Sequence, residues 1–405
     1  MEKVMAVNGN QWVRKCGNAL YFLLIFVIML DPTNTVLHLK DIVFVLLVGF
    51  NCLVYKPDFS YLPHILTVYA VVFACFVIGE MQGSHIDEEM LMGTVKGFAP
   101  MVLLLWSPYY PVIRLSKVPV LLVSTVIAVL YVVVSSSEVA EIFVWKFVKS
   151  HNDMIMMTHR SFLGIPIFGM YYKSIISFIF VLFLYYYQLY NVRRHRIRTL
   201  LAVVVLSFAF LVSGTRATML LPFFMLGLVM YRTFMKWREA KYFFYPVLAL
   251  FVVALLLLVV RLATEQGEAS NAIKYAHLTS YGHLFSEHPE YLLWGQGPGA
   301  IFYSEGFGAW TAQTEWTYIE LLRNYGLLSV GILAVLLLPL HRLLQYRENE
   351  TAFGLAGAYA AYLMIAGTNP LLVSSTGMIV LLAIYSYVDA LKRGEGNLLP
   401  TEPLK

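Results

Sequence analysis

Long apolar runs separated by short polar breaks occupy most of the chain. Twelve such runs are legible, at 17–31, 36–55, 62–81, 89–106, 117–137, 166–190, 199–214, 217–234, 243–262, 315–340, 352–367 and 374–391. A helix rises about 1.5 Å per residue, so about 20 apolar residues cross the roughly 30 Å of hydrocarbon in a bilayer. Inside lipid every backbone polar group must be satisfied by its own segment or by a closed barrel. The runs are continuously apolar and do not alternate, which excludes a barrel and predicts helices. The pattern therefore predicts an all-α polytopic membrane bundle of about a dozen helices over residues 1–391. Two long polar connections, 138–165 and 263–314, interrupt it, and a polar tail, 392–405, follows it.

Composition agrees with that reading. The chain is 59% hydrophobic and 13% charged, where soluble domains average about 45–50% and about 25%. The start carries Lys3, Arg14 and Lys15, and the apolar run behind them has no small-residue cleavage site, so it is read as a first span. Cys16, Cys52 and Cys75 sit in or beside apolar runs without pairing logic, predicting neither a disulfide framework nor a metal site. Basic residues lie in short connections between spans, which gives no footprint for nucleic acid.

Lys and Arg mark the cytoplasmic side of a membrane protein. One alternating set of connections holds Arg193, Arg194, Arg196 and Arg198, then Arg232, Lys236, Arg238 and Lys241, then Arg342 with Arg347, and Lys392 with Arg393. Both termini are thereby predicted to be cytoplasmic, and the connections 138–165 and 263–314 face outward.

Ionisable residues near the outward boundary are the candidates for chemistry. Arg216, in Ser213-Gly-Thr-Arg216, stands where two apolar runs meet almost without a loop. Its planar guanidinium suits phosphate oxygens, although an arginine snorkelling to headgroups has the same appearance. Lys274 and Arg160 are further candidate phosphate ligands, each also readable as a solvated surface charge. From Lys274 to Phe285 the spacing predicts an amphipathic helix on the outer surface, carrying Tyr281, and Gly295–Gly299 predicts a tight glycine-shaped turn. His277, His283 and His288 lack a carboxylate at ligand spacing, so no metal is assigned. Glu315 opens the tenth run, at the depth where a carboxylate can take a proton from a hydroxyl, though a charge favoured at a helix start looks the same. Glu320 and Arg323, three apart on one face, are spaced to pair with each other.

Three pieces in order then resemble the O-antigen ligase and O-antigen polymerase superfamily, from about Arg160 to Leu337. They are Ser213-Gly-Thr-Arg-Ala217, His288-Pro289 followed by Gly295-Gln-Gly-Pro-Gly299, and Glu320-Leu-Leu-Arg-Asn-Tyr-Gly-Leu-Leu328. Ligases of this family carry His-Asn where this chain has Glu315 and Trp316, so the chain looks more like the polymerases. An arginine is usual about fifteen residues before the His-Pro proline, and the residue there is Lys274, which keeps the charge but loses the bidentate fork.

The resemblance implies a membrane-embedded glycosyltransferase of the GT-C-like kind in a bacterial inner membrane, active at its periplasmic face without metal, cofactor or nucleotide sugar. Donor and acceptor would be undecaprenyl-pyrophosphate-linked oligosaccharides of lipopolysaccharide biosynthesis, with a chain-length co-polymerase as a possible partner. Glu315 would be the base. Arg216, Arg160 and Lys274 would hold pyrophosphate, with Arg323, Tyr281 and His288 also in the substrate site. The alternatives are a ligase that moves the glycan onto lipid A–core, and a twelve-helix transporter. Ionisable residues at the outer boundary, away from mid-membrane, speak against transport.

Overall fold

The computed structural model describes residues 11–150, 154–162, 165–192, 195–235 and 269–396, with a few isolated positions between 245 and 257. Most of these are helical. In chain order the helices are α1 Gln11–Leu30, α2 Lys40–Val54, α3 Leu62–Met81, α4 Glu88–Phe98, α5 Val112–Ser136, α6 Glu138–Ser150, α7 Ile179–Asn191, α8 Arg196–Val212 and α9 Arg216–Met235. They continue as α10 Ala269–Glu287, α11 Glu290–Trp294, α12 Thr317–Tyr325, α13 Ser329–Gln345, α14 Glu350–Ala366 and α15 Ser375–Lys392. Two antiparallel hairpins accompany them: β1 Ile155–Phe162 with β2 Ile165–Tyr172, and β3 Phe302–Ser304 with β4 Ala309–Thr311.

Among the described residues six helical stretches are long and apolar enough to cross a membrane: Gln11–Leu30, Phe59–Met81, Glu88–Tyr109, Val112–Ser136, Thr317–Gln345 and Ser375–Lys392. Ile175–Asn191 and Arg216–Tyr231 are shorter apolar helices. The expected span at 243–262 falls almost entirely outside the described residues. The expected span at 166–190 is corrected at its start. Residues 165–172 pair as β2, and α7 is reached only through a 3-10 turn at Ile175–Phe178. Hydropathy alone cannot separate an apolar strand from the helix that follows it, because both are continuous apolar runs.

α15 is the hub. Its span is 89% buried inside the bundle, against α5, α13 and the 3-10 stretch Ala99–Tyr109 that prolongs α4. At one end of α15 the Asp389 carboxylate accepts hydrogen bonds from Tyr61 (2.5 Å) and Ser107 (2.8 Å) and an amine contact from Lys392 (3.3 Å). These partners satisfy a carboxylate that would otherwise be costly to bury. The opposite end, where α15 begins, carries the two hairpins, α10–α12 and the connection 31–39.

Candidate functional site

The segment from α10 to α12 folds onto the bundle through one arginine. Arg323, fully enclosed, donates Nε–H to Glu320 Oε2 (3.0 Å), Nη1 to Gln296 Oε1 (2.6 Å) and the Ala300 carbonyl (2.7 Å), and Nη2 to the Ala312 carbonyl (2.7 Å) and Glu320 Oε2 (2.7 Å). Those five contacts use all five guanidinium donors, and the Phe302 ring lies 4.6 Å from Cζ. The other Glu320 oxygen accepts from Tyr281 Oη (2.5 Å) and the Thr314 amide (2.8 Å). Burial, then the Glu320 charge, pushes the Tyr281 phenol well above its ordinary range. The expected pairing of Glu320 with Arg323 is therefore present. Arg323 and Tyr281 nevertheless act as pins of the loop architecture, since Arg323 has no donor left for a substrate.

Glycine makes this docking possible. Gly295, Gly297 and Gly299 all have positive φ (78°, 102° and 81°), a region open to glycine without penalty. The Gln296 and Gly297 amides donate to the carbonyls of Arg323 (2.6 Å) and Asn324 (3.2 Å). A Cβ placed on Gly79 of α3 would stand 2.7 Å from the Gln296 carbonyl oxygen and 3.0 Å from Gly297 Cα. The turn predicted at Gly295–Gly299 is thus wedged between α3 and the end of α12.

Glu315 and Lys274 meet. Nζ of Lys274, on α10, lies 3.1 Å from Oε2 of Glu315, just ahead of α12, with both side chains about one-third exposed. Trp316 Nε1–H donates to the Lys274 carbonyl (3.1 Å), and the Thr317 hydroxyl donates to the Asn369 carbonyl (2.6 Å), so the pair rests on fixed backbone. His277, one turn along α10 and fully buried, shares a hydrogen bond between Nδ1 and Ser304 Oγ (2.7 Å). Its Nε2 has no hydrogen-bond partner. Burial, opposed by the charges of Glu315 and Glu320, holds its imidazole below the ordinary pKa.

The remaining sequence candidates lie around this core. Arg216 opens α9 behind a turn closed by hydrogen bonds among Ser213, Thr215 and Thr218. Gly214 in that turn packs against Gly169 of β2, where a Cβ on Gly169 would stand 2.8 Å from Gly214 Cα. Tyr171, two residues on, lies within electrostatic range of Glu315. The hairpin therefore links the Arg216 turn to the Glu315 region. Arg160 lies on β1 opposite Ile167; its side chain falls outside the description. His288 is exposed, contacts Glu290 Oε1 (3.0 Å) and stacks on Tyr291 (4.8 Å).

A cavity of about 540 Å³ opens at this same end of the bundle. Its wall includes Thr317, Glu320 and Asn324 of α12, Ser374–Thr376 at the start of α15, and three lysines, Lys40, Lys96 and Lys173. Asn324 Oδ1 is buried without a hydrogen-bond partner. Arg216, Lys274 and Glu315 are not in this wall, although Thr317 stands only two residues from Glu315. The three lysines were not among the sequence candidates. Among the described residues no group of three His, Cys, Asp or Glu side chains is placed to hold a metal ion.

Helices of this length and apolarity define a multi-pass membrane protein with an elaborated set of connections at one end. Comparison with family models, with curated proteins and with solved structures gives no match.

Proposed function

We propose that this protein is a membrane glycosyltransferase that lengthens a lipid-linked glycan at the non-cytoplasmic face, as an O-antigen polymerase does. The observation that carries the reading is the Lys274–Glu315 pair, about one-third exposed and braced by backbone contacts, beside a polar cavity at the loop end of the bundle. A carboxylate there can accept the proton of an acceptor sugar hydroxyl. The hydroxyl oxygen attacks the anomeric carbon of the donor, the bond from that carbon to the diphosphate oxygen breaks, and the electron pair leaves with the diphosphate. Fixed cations stabilise that developing charge without reorganisation, and Lys274, in contact with Glu315, is one such cation. The unpartnered Asn324 amide oxygen in the cavity wall suits a sugar hydroxyl.

Glycolipid analysis of a strain lacking the chain tests the reading. A polymerase predicts lipopolysaccharide capped by single repeat units. A ligase predicts polymer retained on the lipid carrier with none on the core, and unchanged glycolipids remove both. The acidic Glu315 and the neighbouring Trp316 favour the polymerase.

A further inference from the structure

Lys40, Lys96 and Lys173 come from three distant parts of the chain and line one cavity. Lys40 opens α2, Lys96 lies in the last turn of α4, and Lys173 follows β2 directly. Their convergence is built in. The Tyr172 hydroxyl donates to the Leu30 carbonyl, and Ser174 Oγ donates to the Met29 carbonyl (2.7 Å), fastening the segment around Lys173 to the end of α1. Buried Asp31 accepts the amides of Thr35 (3.1 Å), Val36 (3.0 Å) and Leu37 (2.6 Å), shaping the connection that delivers Lys40. Gly97 lets α4 approach residues 373–374, where a Cβ would stand 3.2 Å from the Val373 carbonyl oxygen. Lys40 is within electrostatic range of both other lysines.

Like charges gathered in this way repel one another unless an anion joins them. The carboxylates of the wall are Asp41, Glu89 and Glu320. Glu320 is matched by Arg323, while the Asp41 and Asp31 charges act on Lys40, whose Nζ also donates to the Pro32 carbonyl (3.2 Å). The first turns of α2, α12 and α15 also face the cavity, through Lys40, Thr317, and Ser375 with Thr376. Those turns bring the N-terminal, positive ends of three helix dipoles to its wall.

We infer that this cavity is a binding site for a phosphate-class polyanion held by Lys40, Lys96 and Lys173. It deepens the proposed glycan transfer, on which the choice of a lipid-linked diphosphate as ligand rests. The anion site itself stands on the cavity alone. Two sources carry this chemistry, the diphosphate of a lipid-linked sugar and the headgroup of an ordinary anionic phospholipid.

The test uses full-length protein in phosphatidylcholine nanodiscs, titrated with inorganic pyrophosphate and, separately, with short-chain phosphatidylglycerol. Lys40→Gln, Lys96→Gln and Lys173→Gln are each expected to weaken binding about ten- to a hundredfold, the loss expected for one charge-assisted hydrogen bond. Lys96→Arg restores most of it, and Lys56→Gln, exposed and remote from this wall, leaves it unchanged. Preference for pyrophosphate identifies a diphosphate site, and preference for phosphatidylglycerol identifies a headgroup site. Absence of binding by either probe, or equal binding by wild type and all three Gln variants with unchanged unfolding temperatures, overturns the site. Lysine-dependent pyrophosphate binding in a chain whose deletion leaves glycolipids normal keeps the anion site and removes the transferase reading.

Discussion

Lys274 Nζ stands 3.1 Å from Glu315 Oε2, so the residue nominated as a phosphate ligand and the residue nominated as a base are each other's partner. In the proposed transfer one contact thus holds both a proton acceptor and a cation.

Glu315→Gln is expected to lower glycan transfer about 10²–10⁴-fold, the usual contribution of a positioned general base. A partly exposed ion pair contributes only about 0–1 kcal/mol to stability, so the unfolding temperature should scarcely move. Transfer assays and thermal unfolding on the same preparation decide the point. A large loss of stability would move Glu315 to a structural role.

Arg323→Met is expected to behave in the opposite way. It strands the buried Glu320 carboxylate and leaves the Ala300 and Ala312 carbonyls without their donor. Breaking one side of a buried pair costs about 3–5 kcal/mol. Replacing both members by Glu320→Leu with Arg323→Met should recover much of that loss, and equal unfolding midpoints for the single and double variants would contradict the account.

The loop domain should depend on glycine contact at Gly79. A Cβ there meets backbone at 2.7 Å, whereas one at Gly227 on α9 meets nothing within 4 Å. Gly79→Ala is expected to destabilise by about 1–3 kcal/mol through overpacking. Gly227→Ala should be neutral or slightly stabilising, by helix propensity. Limited proteolysis across 269–314 reads the difference.

Acid should loosen the loop through His277. Burial keeps its folded-state pKa below the ordinary value of 6.5, so the unfolded chain takes up the proton more readily. The stability it permits is intact above about pH 6.5 and falls as pH drops below that value, toward its folded pKa. The carboxylates of Glu315 and Glu320 soften this fall, and Lys274 sharpens it. In His277→Gln the dependence of unfolding free energy on pH should flatten over that interval. An unchanged slope would show that other groups govern it.

The sequence carried the long apolar helices, the helical state of α10 (though not the amphipathic face expected of it) and the turn at Gly295–Gly299, because each is a local pattern within one stretch of chain. The Glu320–Arg323 pair was legible from its spacing, but the three acceptors supplied by Gln296, Ala300 and Ala312 were not, since they come from a loop that folds back. β2 was hidden because Ile165–Tyr172 is as apolar as the helix that follows. The lysine cavity was hidden for a different reason. Lys40, Lys96 and Lys173 each look like an ordinary interfacial lysine, and contacts between distant segments, among them those of Tyr172, Ser174 and Gly97, bring them together.

The most direct measurement is chain lengthening by the purified protein, supplied with a polyprenyl-diphosphate oligosaccharide repeat in the presence of a metal chelator. The account predicts a ladder of lipid-linked products from the wild type and almost none from Glu315→Gln at equal folded concentration. No ladder from the wild type, or the same ladder from both, would contradict it.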